Sequence, residues 1–294
     1  MALFTRCHKP YRKLALVLAL VIPLATHAQS MFRCEDASGN ITFTDSARNC
    51  LSAQQTDELD LPSANIHSQF GEVVSEEYHN YRYRHYKELS GFSIPITVEQ
   101  SLWDNNPTLA QQAAQKLERI INKAKLYFPA SARAEMSGIR YYIFLGDESS
   151  SGGRKGGQWY FRKGNHVSTR FDDAIIVRSA DDYVNRYNDT QATRTAIHEL
   201  SHAYYYYHRP TLYHPTKQAF INANRQRLYY QAKTKGGKSI DKAYALTNQR
   251  EYFAELAKTY FYNNYHYPFD QQELGEYDPV GHDLIQRAFF PAGH

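Results

Sequence analysis

Glycine and proline are sparse, 15 and 11 in 294 residues, which excludes a collagen-like repeat or a disordered low-complexity chain. Hydrophobic residues at 42% and charged residues at 22% describe a folded globular protein, and the length suits one large domain plus a smaller unit. An excess of one charge is also missing from most of the chain. The formal net charge is +4, yet Arg6, Lys9, Arg12 and Lys13 lie in the first 28 residues, where there is no Asp or Glu. Setting these four aside leaves 30 basic against 30 acidic side chains. A balanced surface has no global field to hold a polyanion, so nucleic-acid binding driven by net charge is disfavoured.

Long apolar runs are absent after residue 22. The run Leu14 to Ile22 follows a basic start and precedes Thr26-His27-Ala28, with small residues at the cleavage positions. That is the pattern of a secretory signal peptide cut after Ala28. An uncleaved anchor is the rival reading, but the run is about half of what a bilayer requires. The mature chain is therefore expected in the periplasm or outside the cell, with no membrane span. Of three cysteines, Cys7 leaves with the leader; Cys34 and Cys50 remain as a pair in an oxidising compartment. A disulfide closing this loop would contribute roughly 3 kcal/mol in the chain-entropy model. A metal site is the weaker alternative, because no histidine lies near these two cysteines.

The segment Met31 to Asp45 reads as a hairpin around Ser38-Gly39-Asn40, and it resembles a small β module found after the signal peptide in many bacterial envelope proteins. Polar, acidic sequence between it and Pro62 reads as a linker. Tyr78 to Tyr86 interleaves aromatic and basic residues, which a single-strand nucleic-acid binder could use for stacking. The expected reading is a half-buried strand with Tyr81 and Tyr83 on one face.

Strand composition from Phe92 to Leu102 is followed by Asn106-Pro107, a helix start with Asn106 as N-cap, and by an apolar helical stripe that stops at Pro129. Ile139 to Leu145, Gln158 to Phe161 and Ala174 to Val177 are further strands. Ser149 to Gly157 lacks the Gly-Lys-Ser/Thr ending of a phosphate loop and reads as a surface loop. Helical sequence then dominates to the end, so an α+β fold is expected.

His198-Glu199-Leu200-Ser201-His202 lies inside a helix expected to start near Asp189. Residues four apart share a helical face, so both imidazoles can reach one metal ion, with Glu199 displaced to its side. A carboxylate there can take a proton from a metal-bound water whose pKa the metal has lowered. Such a site needs a third protein ligand. A second helix opens at Asn248 and carries Glu251 and Glu255 on one face. Glu251 fits a ligand, and equally a capping box with Asn248; Glu255 can be a solvated surface carboxylate.

His198-Glu-x-x-His202, then Tyr244, then Glu251-Tyr-Phe-Ala-Glu255, resembles the gluzincin metallopeptidases, most closely the group around the anthrax lethal factor catalytic domain. The likeness spans roughly residues 190–263. It implies a zincin-like fold and one zinc ion held by His198, His202 and Glu251. In addition, it implies Tyr244 at the scissile carbonyl and Glu255 behind a ligating histidine. Zincins also pair the substrate backbone with a sheet-edge strand, for which Gln158, Trp159, Tyr160 and Phe161 are the candidates. The histidines at 208, 214, 266 and 282 are expected to be ordinary surface residues.

The expected organisation is a leader (1–28), a small disulfide-closed β module (29–60), a linker (61–77) and a zincin-like metallopeptidase domain (78–294). The expected function is a secreted or periplasmic zinc-dependent endopeptidase acting on proteins or peptides, with Glu199 activating the zinc-bound water. Two rivals stand beside it: an inactive zinc-binding envelope interaction protein, and a hydrolase of cell-wall peptides.

Overall fold

The computed structural model describes residues 80–147 and 156–291, together with the backbone of three strands nearer the N-terminus. Those strands are β1 (Met31–Glu35), β2 (Ile41–Thr44) and β3 (Asp57–Leu59). β1 pairs antiparallel with β2, as the hairpin reading expects, with Cys34 opposite Thr42. β1 also pairs antiparallel with β3, so Asp57–Leu59 is strand instead of linker. Polar composition does not prevent this, because an edge strand needs only backbone donors and acceptors. These strands fall in one unit, Met1–Ala64, and all later elements in a second, Asn65–His294. The expected leader, the 38–40 turn, the segment 61–77, Cys50 and with it the expected disulfide, and residues 148–155 lie outside the described residues.

The second unit is built on a five-stranded sheet, ordered β4-β5-β6-β8-β7. Its strands are β4 (Tyr86–Leu89), β5 (Ile96–Glu99), β6 (Arg140–Ile143), β7 (Gln158–Phe161) and β8 (Ala174–Val177). The three central strands run parallel, and β4 and β7 are antiparallel edges. Alternation along the strands explains why β8 is buried throughout. Tyr141, Ile143, Ile175 and Val177 join the main core, while Tyr142, Phe144, Ala174 and Ile176 join a second cluster on the opposite face.

Helices cover the first face. After a short α1 (Gln100–Asn105), α2 (Pro107–Lys125) begins as expected, with the Asn106 side chain accepting from Leu109 N–H at 3.0 Å. Its stripe from Ala110 through Leu117, Ile120 and Ile121 to Ala124 is fully buried. The short α3 (Ala130–Glu135) and α4 (Ala180–Asn185) precede the two site helices, α5 (Asp189–Tyr207) and, after α6 (Arg209–Arg225), α7 (Gln249–Phe261). A β9–β10 hairpin (Tyr230–Lys233, Ser239–Lys242) interrupts the helical half, and α8 (Gln271–Tyr277) and α9 (Pro279–Phe289) close it. The architecture is α+β. Among the described residues no helix is long and apolar enough to cross a membrane.

The strand expected over 78–86 is a correction. Residues Asn80–Tyr83 form a 3-10 turn, and strand begins only at Tyr86. Tyr81 is buried with its hydroxyl donating to Asp147 at 3.0 Å, whereas Tyr83 is 74% exposed. Arg84 bonds Glu99 and Asp147 and lies over the Tyr81 ring. These tertiary contacts override the local alternation.

Candidate metal centre and its cleft

A capping box starts the first site helix: Asn188 accepts from Gln191 N–H at 2.9 Å, and the Gln191 side chain accepts from Asn188 N–H at 3.1 Å. Three turns on, His198 and His202 are both buried, with ring centroids 4.7 Å apart. α7 packs along α5. Its N-cap is Asn248, whose side-chain oxygen accepts from the N–H groups of Arg250 and Glu251 at 2.9 and 3.1 Å. Glu251 has helical backbone but does not complete a capping box. Its carboxylate turns instead to α5, with Oε2 lying 3.1 Å from His198 Nε2 and 3.2 Å from His202 Nε2.

The two Nε2 atoms are themselves 3.1 Å apart. No placement of protons satisfies this triangle. If both rings carry hydrogen at Nε2 they bond Glu251 but point two donors at each other, and if either lacks it the carboxylate loses a donor. A cation bound to all three atoms removes the conflict. A tetrahedral ion with bonds of about 2.0–2.1 Å needs donors about 3.3 Å apart, close to the spacing seen, and two imidazoles with a carboxylate are a zinc-type donor set. The residues present fit one such ion.

Behind the triangle, Glu255 Oε1 lies 3.0 Å from His198 Nδ1, an ion-pair distance, although the ring N–H is out of line for a straight hydrogen bond. The same oxygen accepts from Lys258 Nζ at 2.5 Å. This places Glu255 behind His198, the ring whose identity the sequence left open. It also makes Glu255 a buried carboxylate, where a solvated one was the simpler reading.

Glu199, likewise buried, accepts from the backbone N–H of Tyr160 on β7 at 2.8 Å. That bond ties the carboxylate beside the triangle to the edge of the sheet. Burial raises the Glu199 carboxyl above its ordinary range, with His198, His202 and the Tyr160 N–H offsetting only part of the rise. Burial works the same way on Glu251 and Glu255, but there it loses. The two imidazoles drive Glu251 far below the usual range, and Lys258 with His198 brings Glu255 down to about 2. Burial lowers His198, yet the carboxylates of Glu251 and Glu255 beside its ring prevail and lift it to about 10. A dication at this place therefore competes with a proton.

The triangle opens on a cleft of about 510 Å³, bordered by β7, the His198 face of α5, and the start of α7. Tyr244 stands at its lip, 54% exposed, with its ring centroid 6.0 Å from that of His198. The four β7 candidates all line the cleft, but their side chains diverge. Tyr160 packs with the helical core, whereas Trp159 and Phe161 pack with the opposite cluster, and Arg178 lies 3.6 Å over the Trp159 ring. The Gln158 carboxamide is buried, and neither of its polar atoms has a hydrogen-bond partner among the described residues. His208 pairs with Glu135, and His214, His266 and His282 are likewise outside the cluster.

Lys258, Arg194 and Arg250 were missed from sequence. Arg194 donates to Asn263 through Nε and Nη2 at 3.0 and 2.7 Å, and Arg250 donates to the Tyr206 hydroxyl at 2.7 Å. Helical spacing carries the signal for two of them: Arg194 lies one turn before His198, and Lys258 one turn after Glu255. No protein-family model matches this chain, and no curated protein is significantly similar to it.

Proposed function

We propose that this chain is an exported zinc-dependent endopeptidase of zincin-like fold, related in its site plan to the gluzincins. The single observation that carries the reading is the triangle of His198, His202 and Glu251 donors with Glu199 held beside it in an open cleft. His198, His202 and Glu251 would hold the ion. An ion bound there would polarise a peptide carbonyl and acidify the attacking water.

Glu199 would take a proton from that water and return it to the leaving amine. The Tyr244 hydroxyl, at the lip, donates toward the carbonyl oxygen as negative charge grows on it. Lys258 and Glu255 fix the His198 ring from behind. The β7 edge offers main-chain groups along which an extended peptide can align.

Glu199→Gln keeps the shape and the Tyr160 bond but removes the base. The expected result is unchanged zinc stoichiometry with peptide hydrolysis reduced by about 10²–10⁴-fold. The readout is mass-spectrometric profiling of a broad peptide library, with and without a chelator. Full activity in the Gln variant, or activity indifferent to the chelator, would refute the proposal.

A further inference from the structure

Beside the cleft lies a second concavity of about 270 Å³, lined by Arg162, Lys163, Asp173, Tyr206, Tyr207 and Arg209. Tyr206 borders both cavities, so the two adjoin. Three cations surround this space against one carboxylate. Asp173 is engaged already, accepting from the Tyr160 hydroxyl at 2.7 Å. Arg162 donates to the Lys163 carbonyl at 3.1 Å and lies 6.0 Å from the Tyr206 ring centroid; Arg209 lies 5.4 Å from that of Tyr213. None of the three cations forms an ion pair among the described residues. Like charges gathered in a concavity without counterions repel one another, and an anion entering it relieves that repulsion.

Position along the sheet says what kind of anion fits. Arg162 follows directly on β7, the strand that borders the metal triangle. Tyr160 is level with Glu199 through its N–H, and Arg162 is two residues on, about 7 Å at the rise of a strand. A peptide laid antiparallel along β7 therefore carries a residue N-terminal to its cleaved bond into the cationic space. A guanidinium fork matches a carboxylate in shape and charge.

We infer that this concavity is a specificity subsite for an aspartate or glutamate side chain of the substrate, two to three residues N-terminal to the cleaved bond. The inference rests on the peptidase reading and adds a substrate class to it: extended peptides bearing an acidic residue at a fixed distance.

The test has a hydrolytic and a binding arm. Hydrolysis by the zinc-loaded protein is compared for a peptide with Glu at that position and its Gln counterpart, at low and high salt. The expected preference for Glu is at least about tenfold in kcat/KM, the ratio that 1.4 kcal/mol gives. It should shrink at high salt and reverse toward Lys in the Arg162→Glu/Arg209→Glu variant. Equilibrium binding of the same labelled peptides, and of sulfated dextran, to the Glu199→Gln variant is then measured by fluorescence anisotropy. Binding that favours Glu, together with no hydrolysis of either peptide by the zinc-loaded parent protein, would sink the peptidase reading and keep the subsite. Chelator-sensitive hydrolysis indifferent to Glu or Gln would overturn the subsite. So would a reversed-charge variant with unaltered preference, or strong binding of sulfated dextran with no discrimination between the peptides.

Discussion

Removing the Lys258 ammonium while keeping its length, as Lys258→Met does, takes from the buried Glu255 its closest cation and leaves it only His198, which Glu251 shares. Both residues are nearly buried, at 8% and 6% exposure, and their charged atoms are 2.5 Å apart. Pairs of this kind gain little over a hydrophobic substitute, but breaking one by deleting a single partner typically costs about 3–5 kcal/mol. For a unit of this size each kcal/mol moves the melting temperature by about 2–4 °C, so a fall of roughly 6–20 °C is expected. The protein should be chelated, because a bound metal would add its own stabilisation to the folded state. Adding Glu255→Gln to Lys258→Met removes the buried negative charge and leaves an oxygen able to accept from His198 Nδ1. Differential scanning calorimetry should then find the double variant more stable than Lys258→Met alone. A single variant within about 1 kcal/mol of the parent, or a double variant no better than the single, would refute the claim that Glu255 depends on Lys258.

Two further perturbations probe the frame around the site. Gly281→Ala sets helix propensity, which favours Ala by about 1 kcal/mol, against a collision. The new Cβ would meet Leu256 Cδ2 at 2.3 Å and the oxygens of Asp278 and Tyr252 at 2.6 Å. Overpacking of this severity costs about 1–3 kcal/mol or more, so the urea midpoint should fall; an unchanged or higher midpoint would show that the helices do not pack so closely there. Asp147→Asn addresses acid stability. Burial pushes the Asp147 carboxyl up, but its bonds to Arg84 and Tyr81 hold it below the ordinary aspartate value. A depressed carboxylate stabilises the fold above its unfolded pKa near 3.9, and that contribution fades as pH falls through the folded value. The stability gap between parent and Asp147→Asn should therefore be constant from about pH 5 upward and close as pH falls below the unfolded value near 3.9. A gap that widens in acid would reverse the assignment.

The parts of this fold that were legible in the sequence are those governed by local chemistry. Asn106-Pro107 announced a helix start because side-chain capping and a missing N–H act within one turn, and β8 was recognisable because Ala174 to Val177 are apolar on both faces. The His198/His202 pair was legible for the same reason: spacing four on a helix fixes a shared face. Glu251 was open between ligand and cap until its side chain could be seen reaching across to α5, a choice made by helix packing fifty residues away. Tertiary contacts also turned Tyr81 inward and left Tyr83 outside. The β9–β10 hairpin was missed because its strands are short and mostly polar, and Asp57–Leu59 because a polar edge strand carries no hydrophobic alternation. The cations of the second concavity were hidden differently, since nothing local distinguishes Arg162 or Arg209 from a solvated arginine.

The bond from Tyr160 N–H to Glu199 has a consequence for how this site can vary over generations. The donor belongs to the main chain, so the identity of residue 160 is irrelevant to it: every amino acid except proline supplies the same group. Drift at that codon can reshape what the cleft accepts while Glu199 stays anchored. Inheritance has to preserve the seating of a strand against a helix, a property distributed over many interchangeable apolar residues, and not any one side chain.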